Sequence, residues 1–273
     1  MPIEQIIVLA LIQGITEFLP ISSSGHLILA PILLGESDQG VLVDVMTHMG
    51  SLLAVIVYFW RDVLGMLRGC VDGLRGRITR ETRLVFYILI GTIPIVVVGG
   101  ILKVTGLSDQ MRSATLVAWN AIIFGVLLYV ADRFGLMRRT MADMTWKPAM
   151  IIGLAQALSL NPGTSRSGIT ITAGRALGFV RPEAARFSFL LSIPATAAAG
   201  ILIIGDALGA GAPITLDALI TGALTFLVAL ATIAFLMRLV RHMSFTPFVI
   251  YRLALGIILL VLIYSGVPLG AAG

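Results

Sequence analysis

The chain has 273 residues, of which 58% are hydrophobic and only 12% charged, and its mean hydropathy is +1.02. So little charge excludes an ordinary soluble domain, whose composition runs to about a quarter charged residues, and points to an all-α polytopic membrane protein. The net charge of +5 does not mark a nucleic-acid binder, because the basic residues gather between apolar runs, where the positive-inside rule places cytoplasmic loops.

Runs long enough to cross a bilayer, roughly 17–25 residues, are predicted at about 3–19, 41–60, 84–104, 113–132, 185–204, 214–237 and 247–266, with a short one at 148–160. The N-terminus lacks a basic n-region, so the first run is expected to stay in the mature protein. Arg61, Arg68, Arg75, Arg77, Arg80 and Arg83 share one loop, Arg133, Arg138, Arg139 and Lys147 another, and Arg238 and Arg241 begin a third. The connections near 36–40, 105–112 and 205–217 instead hold Glu36, Asp38, Asp109, Asp206 and Asp217. Anionic lipid headgroups are the expected neighbours of the basic side. A lone cysteine, Cys70, rules out an intramolecular disulfide.

Two polar segments interrupt the apolar sequence: Glu17 to His26 and Asn161 to Gly168. Each carries a proline, serines and a glycine. Polar, helix-breaking sequence at membrane depth is tolerated where it is buried in protein or lines a watery cavity. Sliding the chain by 143 residues aligns Gln13 with Gln156, Ser22 with Ser165, Ser24 with Ser167 and Gly25 with Gly168. The loop charges place the second segment at the tip of a re-entrant hairpin entering from the cytoplasm, and the first at the tip of one entering from outside. The expected architecture is therefore two inverted-topology repeats, residues 1–140 and 141–273, whose broken helices meet at a midplane site. A new apolar helix is expected after each segment, Leu27 to Leu34 and Ile169 to Leu177, and helix N-termini at such breaks favour anions, phosphate being the simplest.

Ionised side chains inside a membrane are costly and usually functional. Glu17 suits a metal ligand or a proton relay, or else a helix-end carboxylate capping backbone. Ser22, Ser23 and Ser24 suit N-caps or phosphate contacts. Ser23 and His26, three apart, share a helix face, and a Ser–His pair can activate a hydroxyl nucleophile. Arg166 between Ser165 and Ser167 suits bidentate phosphate binding, or a salt bridge to Glu17 that only joins the two halves. Gly163 and Gly168 let backbone approach an anion closely, or else serve plain helix packing. His48 and His242 read as structural or interfacial, and Asn120 and Asp132 as packing or interfacial residues.

Gln13-Gly14-Ile15-Thr16-Glu17-Phe18-Leu19-Pro20-Ile21-Ser22-Ser23-Ser24-Gly25-His26, Pro162-Gly163-Thr164-Ser165-Arg166-Ser167-Gly168-Ile169-Thr170 and the late stretch Ser244 to Arg252 closely resemble the undecaprenyl-diphosphate phosphatase, or bacitracin resistance, family. The resemblance spans nearly the whole chain. It implies a multi-pass protein of the bacterial cytoplasmic (inner) membrane that removes one phosphate from undecaprenyl pyrophosphate, recycling the cell-wall carrier lipid. It implies a site facing the extracytoplasmic side and support from a divalent cation, Mg2+ or Ca2+. Carried over, Glu17, Ser23, His26 and Arg166 form the catalytic set. Ser22, Ser24, Gly163, Thr164, Ser165, Ser167 and Thr170 are the substrate contacts, and Glu17 the metal ligand with Gln13 as a second. Some members carry Glu where this chain has Gln13, which leaves one carboxylate fewer. The alternative from another class is a lipid-phosphate flippase or anion transporter, which fits an inverted repeat equally well. Glycine-rich spans permit a homodimer.

Overall fold

The computed structural model describes residues 1–23, 26, 40–107, 113–211 and 213–266. Among them are ten α-helices and no strand. The helices are α1 (Ile3–Thr16), α2 (Val41–Tyr58), α3 (Trp60–Leu74), α4 (Arg80–Thr105), α5 (Ala114–Phe134), α6 (Trp146–Ala157), α7 (Arg166–Ala176), α8 (Arg181–Gly209), α9 (Leu216–Leu239) and α10 (Thr246–Tyr264). Six of them, α2, α4, α5, α8, α9 and α10, are long and apolar enough to span a bilayer. This is a polytopic helical membrane protein.

Three helices near the two polar segments are shorter: α1 has 14 residues, α6 has 12 and α7 has 11. At 1.5 Å per residue α1 reaches only about 21 Å, against about 30 Å of hydrocarbon. The apolar run read over 3–19 thus ends early, at Glu17. The expected helix after the first polar segment, residues 27–34, lies outside the described residues, as do Glu36, Asp38 and Asp109.

The stretch 61–83, read as a loop from its arginines, instead contains α3. Its Gly65, Gly69 and Gly73 share one face, and the backbone of Glu81 and Thr82 in α4 lies where a Cβ on Gly69 would sit. Trp60, Leu64, Leu67, Val71 and Leu74 are exposed on the opposite face. The arginines masked a helical period that these apolar residues carry.

Packing brings remote segments together. α1 lies on α9 and α6 on α4, while α2 and α8 pack on each other, α10 packs on α5, and α7 touches α5, α6 and α8. Close approach uses glycine where no side chain fits: a Cβ on Gly153 would sit 2.3 Å from the carbonyl oxygen of Gly91. Asp132 of α5 is a buried hub. It accepts from Arg175 Nε at 2.9 Å, Arg181 Nε at 2.8 Å and the backbone N–H of Phe245 at 3.0 Å, tying together α5, α7, the start of α8 and the turn before α10.

Candidate active site

The ends of α1 and α7 meet. Glu17 caps the C-terminus of α1, and Arg166 is the first residue of α7. The Arg166 guanidinium binds Glu17 Oε1 with one nitrogen and the Thr196 hydroxyl of α8 with another. Glu17 Oε2 accepts from Ser23 Oγ at 2.7 Å and from Gln13 Nε2 at 3.0 Å, and His48 Nε2 of α2 lies 3.9 Å away. Glu17 is only 8% exposed. A buried carboxylate is tolerable when its oxygens are taken by donors and a cation, and here they are.

Ser22 and Ser165 are the two non-glycine residues with left-handed backbone among those described, at φ 79° and 70°. That conformation costs an L-residue about 1–3 kcal/mol and collects at functional turns. The two serines are the pair aligned by the 143-residue offset. Ser165 caps α7, accepting from the N–H of Gly168 at 3.1 Å. Ser167 Oγ donates to the carbonyl of Leu19 at 3.1 Å, joining the two tips. Because α7 starts at the cluster, its N-terminal dipole faces Glu17 and Arg166, where an anion would be favoured.

His26 makes its hydrogen bonds to groups other than Ser23. Its Nδ1 lies 2.7 Å from the carbonyl of Ser22, which can only accept, so Nδ1 carries the hydrogen. In the neutral ring Nε2 then accepts from the Tyr251 hydroxyl at 2.6 Å, and the two rings stack with centroids 5.7 Å apart. Ser23 donates to Glu17 rather than to His26; a charged acceptor makes the stronger bond.

The remaining predicted contacts lie behind this surface. Gly163 has φ +87°, and a Cβ there would meet the carbonyl oxygen of Val117 at 2.6 Å, so the tip needs glycine. Thr164 is fully buried, and its carbonyl accepts from Arg252 Nη2 at 3.0 Å. Thr170 bonds Ser188 at 2.6 Å and its own helix at the Arg166 carbonyl, pointing toward α8. Ser24 lies outside the described residues.

Several neighbours carry no local signal. Thr196 sits in an unremarkable apolar helix, and His48 follows no motif. Tyr251 and Arg252 lay within the late family-like stretch, without a role assigned. Arg252 is fully buried and donates to the backbone carbonyls of Pro20, Asn120, Ala121, Gly163 and Thr164.

No cluster of three or more His, Cys, Asp or Glu side chains suited to a metal occurs among the described residues. A cation sharing its shell with substrate phosphates needs fewer protein ligands. Glu17 offers a carboxylate, and Gln13 Oε1 beside it is buried without a hydrogen-bond partner. These two oxygens fit such a cation.

Residues 6–258 match the family described as bacitracin resistance protein BacA. The chain belongs to that family. It is 50% identical over 267 residues to the undecaprenyl-diphosphatase of Ruegeria pomeroyi, covering 97% of this chain and all of that one. It is 49% identical to that of Roseobacter denitrificans over the same shares, and 48% identical to that of Erythrobacter litoralis, covering 94% of this chain and 98% of the relative. All of the polar segments described above fall inside the matched region.

Proposed function

We propose that the chain is an undecaprenyl-diphosphatase, hydrolysing undecaprenyl pyrophosphate to undecaprenyl phosphate and phosphate and so recycling the carrier lipid. The observation that carries this reading is the buried cluster of Glu17, Ser23 and Arg166, assembled from two remote helix breaks, in a chain half identical along 97% of its length to a protein of that name.

Arg166 clamps phosphate oxygens and stabilises the charge of the transition state. In the free site Glu17 and Thr196 hold its guanidinium in place. Ser23 Oγ attacks the terminal phosphorus in line while its proton passes to Glu17 Oε2, the oxygen it already contacts. The Oγ–P bond forms as the bond from phosphorus to the bridging oxygen breaks, and undecaprenyl phosphate leaves. Water then attacks the phosphoserine and releases phosphate. Undecaprenyl phosphate departs as its anion; His26, kept as the Nδ1–H tautomer by Ser22, takes a proton from the attacking water at Nε2, the nitrogen that otherwise accepts from Tyr251, while Ser23 Oγ recovers its proton from Glu17. Ser22, Ser165 and Ser167 hold the two tips in register. Glu17 and Gln13 would hold the divalent cation, Mg2+ or Ca2+, which when bound neutralises phosphate charge.

The tips are parts of two inverted repeats, residues 1–140 and 141–273. In support, the strained serines 22 and 165 occupy matching positions, Gln13 and Gln156 are both fully buried, and α1 on α9 answers α6 on α4. The protein resides in the bacterial inner membrane with its site open to the extracytoplasmic side, a reading supported by its family for the membrane and by its loop charges for the orientation. Gly100 and Gly205, where an added Cβ meets nothing within 4 Å, leave flat lipid-facing patches on which a homodimer would pack.

The test is phosphate release from undecaprenyl pyrophosphate by purified protein in detergent, with Mg2+ or Ca2+ and then with EDTA. Release that stops on chelation, and that Arg166→Ala abolishes, supports the reading. Folded protein that releases no phosphate but moves the lipid between leaflets of a vesicle would make it a transporter.

A further inference from the structure

We propose that a second phosphate-binding site, for the headgroup of an anionic phospholipid, lies at the base of the α6–α7 hairpin, at the opposite end of both helices from the tip that carries Arg166. A cavity of about 640 Å3 opens there, lined by Arg138, Arg139, Lys147, Asp143, Ile151 and Leu177 among others. It lies on the face that the positive-inside rule assigns to the cytoplasm, where basic pockets between spans take lipid phosphates.

Charge balance is the first support. The three cations form no ion pair among the described residues, while the single carboxylate is already engaged. Asp143 accepts from the backbone N–H of Thr140 at 2.9 Å and from its hydroxyl at 3.1 Å, closing the short turn Met141–Asp143. Those bonds, and after them the charge of Arg139, hold Asp143 below the usual carboxylate range, so this one carboxylate offsets one of the three cations and leaves the other two uncompensated. The neighbouring cavity of about 730 Å3 makes the contrast. Its arginines Arg61, Arg80, Arg83 and Arg186 face Asp62, Glu81 and Glu183, with Arg186 paired to both Asp62 and Glu183. The first cavity sets three cations against one carboxylate, the second four against three, so the excess is larger in the first.

Preorganisation is the second support. Arg138 and Arg139 do not lie on a loose loop: their N–H groups donate to the carbonyl of Gly178 at 3.1 and 2.9 Å, and Val180 donates back to Arg139 at 2.9 Å. This strand-like pairing fixes the backbone that presents both arginines against the end of α7. The third support is the wall beneath. Ile151 is exposed on the outer face of α6, in line for acyl chains. Half-exposed Trp146 sits at the headgroup level with Lys147 5.6 Å from its ring centroid, the position favoured for interfacial tryptophan.

Trp146 provides the readout. The full-length protein carrying Trp60→Phe and Trp119→Phe, which leaves Trp146 as the sole tryptophan, is placed in lipid nanodiscs. Quenching by phosphatidylglycerol with brominated acyl chains is compared with quenching by brominated phosphatidylcholine. The expected result is several-fold preferential quenching by phosphatidylglycerol. Arg138→Gln/Arg139→Gln/Lys147→Gln should bring the ratio to one, and Arg61→Gln/Arg83→Gln should leave it unchanged. Equal quenching by the two lipids, or equal loss of preference in both variants, overturns the site. If Trp146 emission responds to millimolar inorganic phosphate in zwitterionic discs without any lipid preference, the ligand is a soluble anion and the lipid assignment falls. None of these readouts depends on phosphatase activity.

Discussion

Arg166→Ala separates a catalytic arginine from a mere strut, because the same side chain does two measurable things. Its guanidinium binds Glu17 and Thr196, so its removal leaves a nearly buried carboxylate without its cation. Gln13 and Ser23 still donate to that carboxylate, which limits the loss of stability to about 1–3 kcal/mol, below the figure for a wholly unpaired buried charge. Deleting a donor aimed at a developing oxyanion removes about 2.7–4 kcal/mol of transition-state stabilisation, which is roughly 10²–10³-fold in kcat/KM. The double variant Glu17→Ala/Arg166→Ala removes both charges, so thermal unfolding in detergent should show it more stable than the two single losses sum to. Phosphate release should stay at background in the double variant. If activity instead returns together with stability, or if folded Arg166→Ala turns over within threefold of the parent, Arg166 only joins the two halves and the proposed clamp is wrong.

The remaining predictions address the other parts of the site. Ser23→Ala should lower phosphate release at least about a hundredfold and abolish any acid-stable phosphoprotein trapped from radiolabelled substrate; substantial turnover in the variant would make water the nucleophile. Gln13→Glu places a second carboxylate beside Glu17, so it should lower the unfolding temperature without metal and restore it with Mg2+. The half-saturating cation concentration in the release assay should fall about tenfold, as ligand charge count predicts. Gly163→Ala must adopt φ +87° and push against the Val117 carbonyl, so it should cost about 1–3 kcal/mol in an unfolding assay. Gly209→Ala, which meets open space, should stay within about 0.5 kcal/mol.

The spans were legible because hydrocarbon thickness sets a length that a run of apolar residues either meets or misses. The breaks at Glu17 and Asn161 were legible because charge and proline are rare at that depth. What the chain did not disclose is which distant helix supplies each partner. Thr196 looks like any threonine of an apolar span, yet it holds Arg166; His48 looks interfacial, yet it reaches toward Glu17. Asp132 read as a packing residue because its three donors come from positions 43, 49 and 113 residues away. The helix α3 was hidden by its own arginines, which sit beside an apolar stripe and suggest a loop when only charge is counted. The Ser23–His26 spacing suggested a pair, but a three-residue offset says nothing about a carboxylate six residues back.

Breaking a helix inside a membrane frees carbonyls that water cannot reach, and each must find a donor. The tips of this protein answer with side chains from elsewhere. Asn120 donates to the Pro162 carbonyl at 2.7 Å, Ser167 to Leu19, and His26 to Ser22. Arg252 reaches Pro20 in the first tip and Gly163 and Thr164 in the second. A guanidinium carries five N–H donors and keeps its charge, so one buried arginine can hold both breaks without a carboxylate partner. That role also accounts for Gly168: a Cβ there would lie 2.8 Å from Arg252 Nη1. Gly168, which in sequence suggests close approach to an anion or plain packing, therefore makes room for the arginine that keeps the two tips facing each other. Arg166 and Ser23 can converge on one carboxylate because Arg252 has fixed the backbone that presents them.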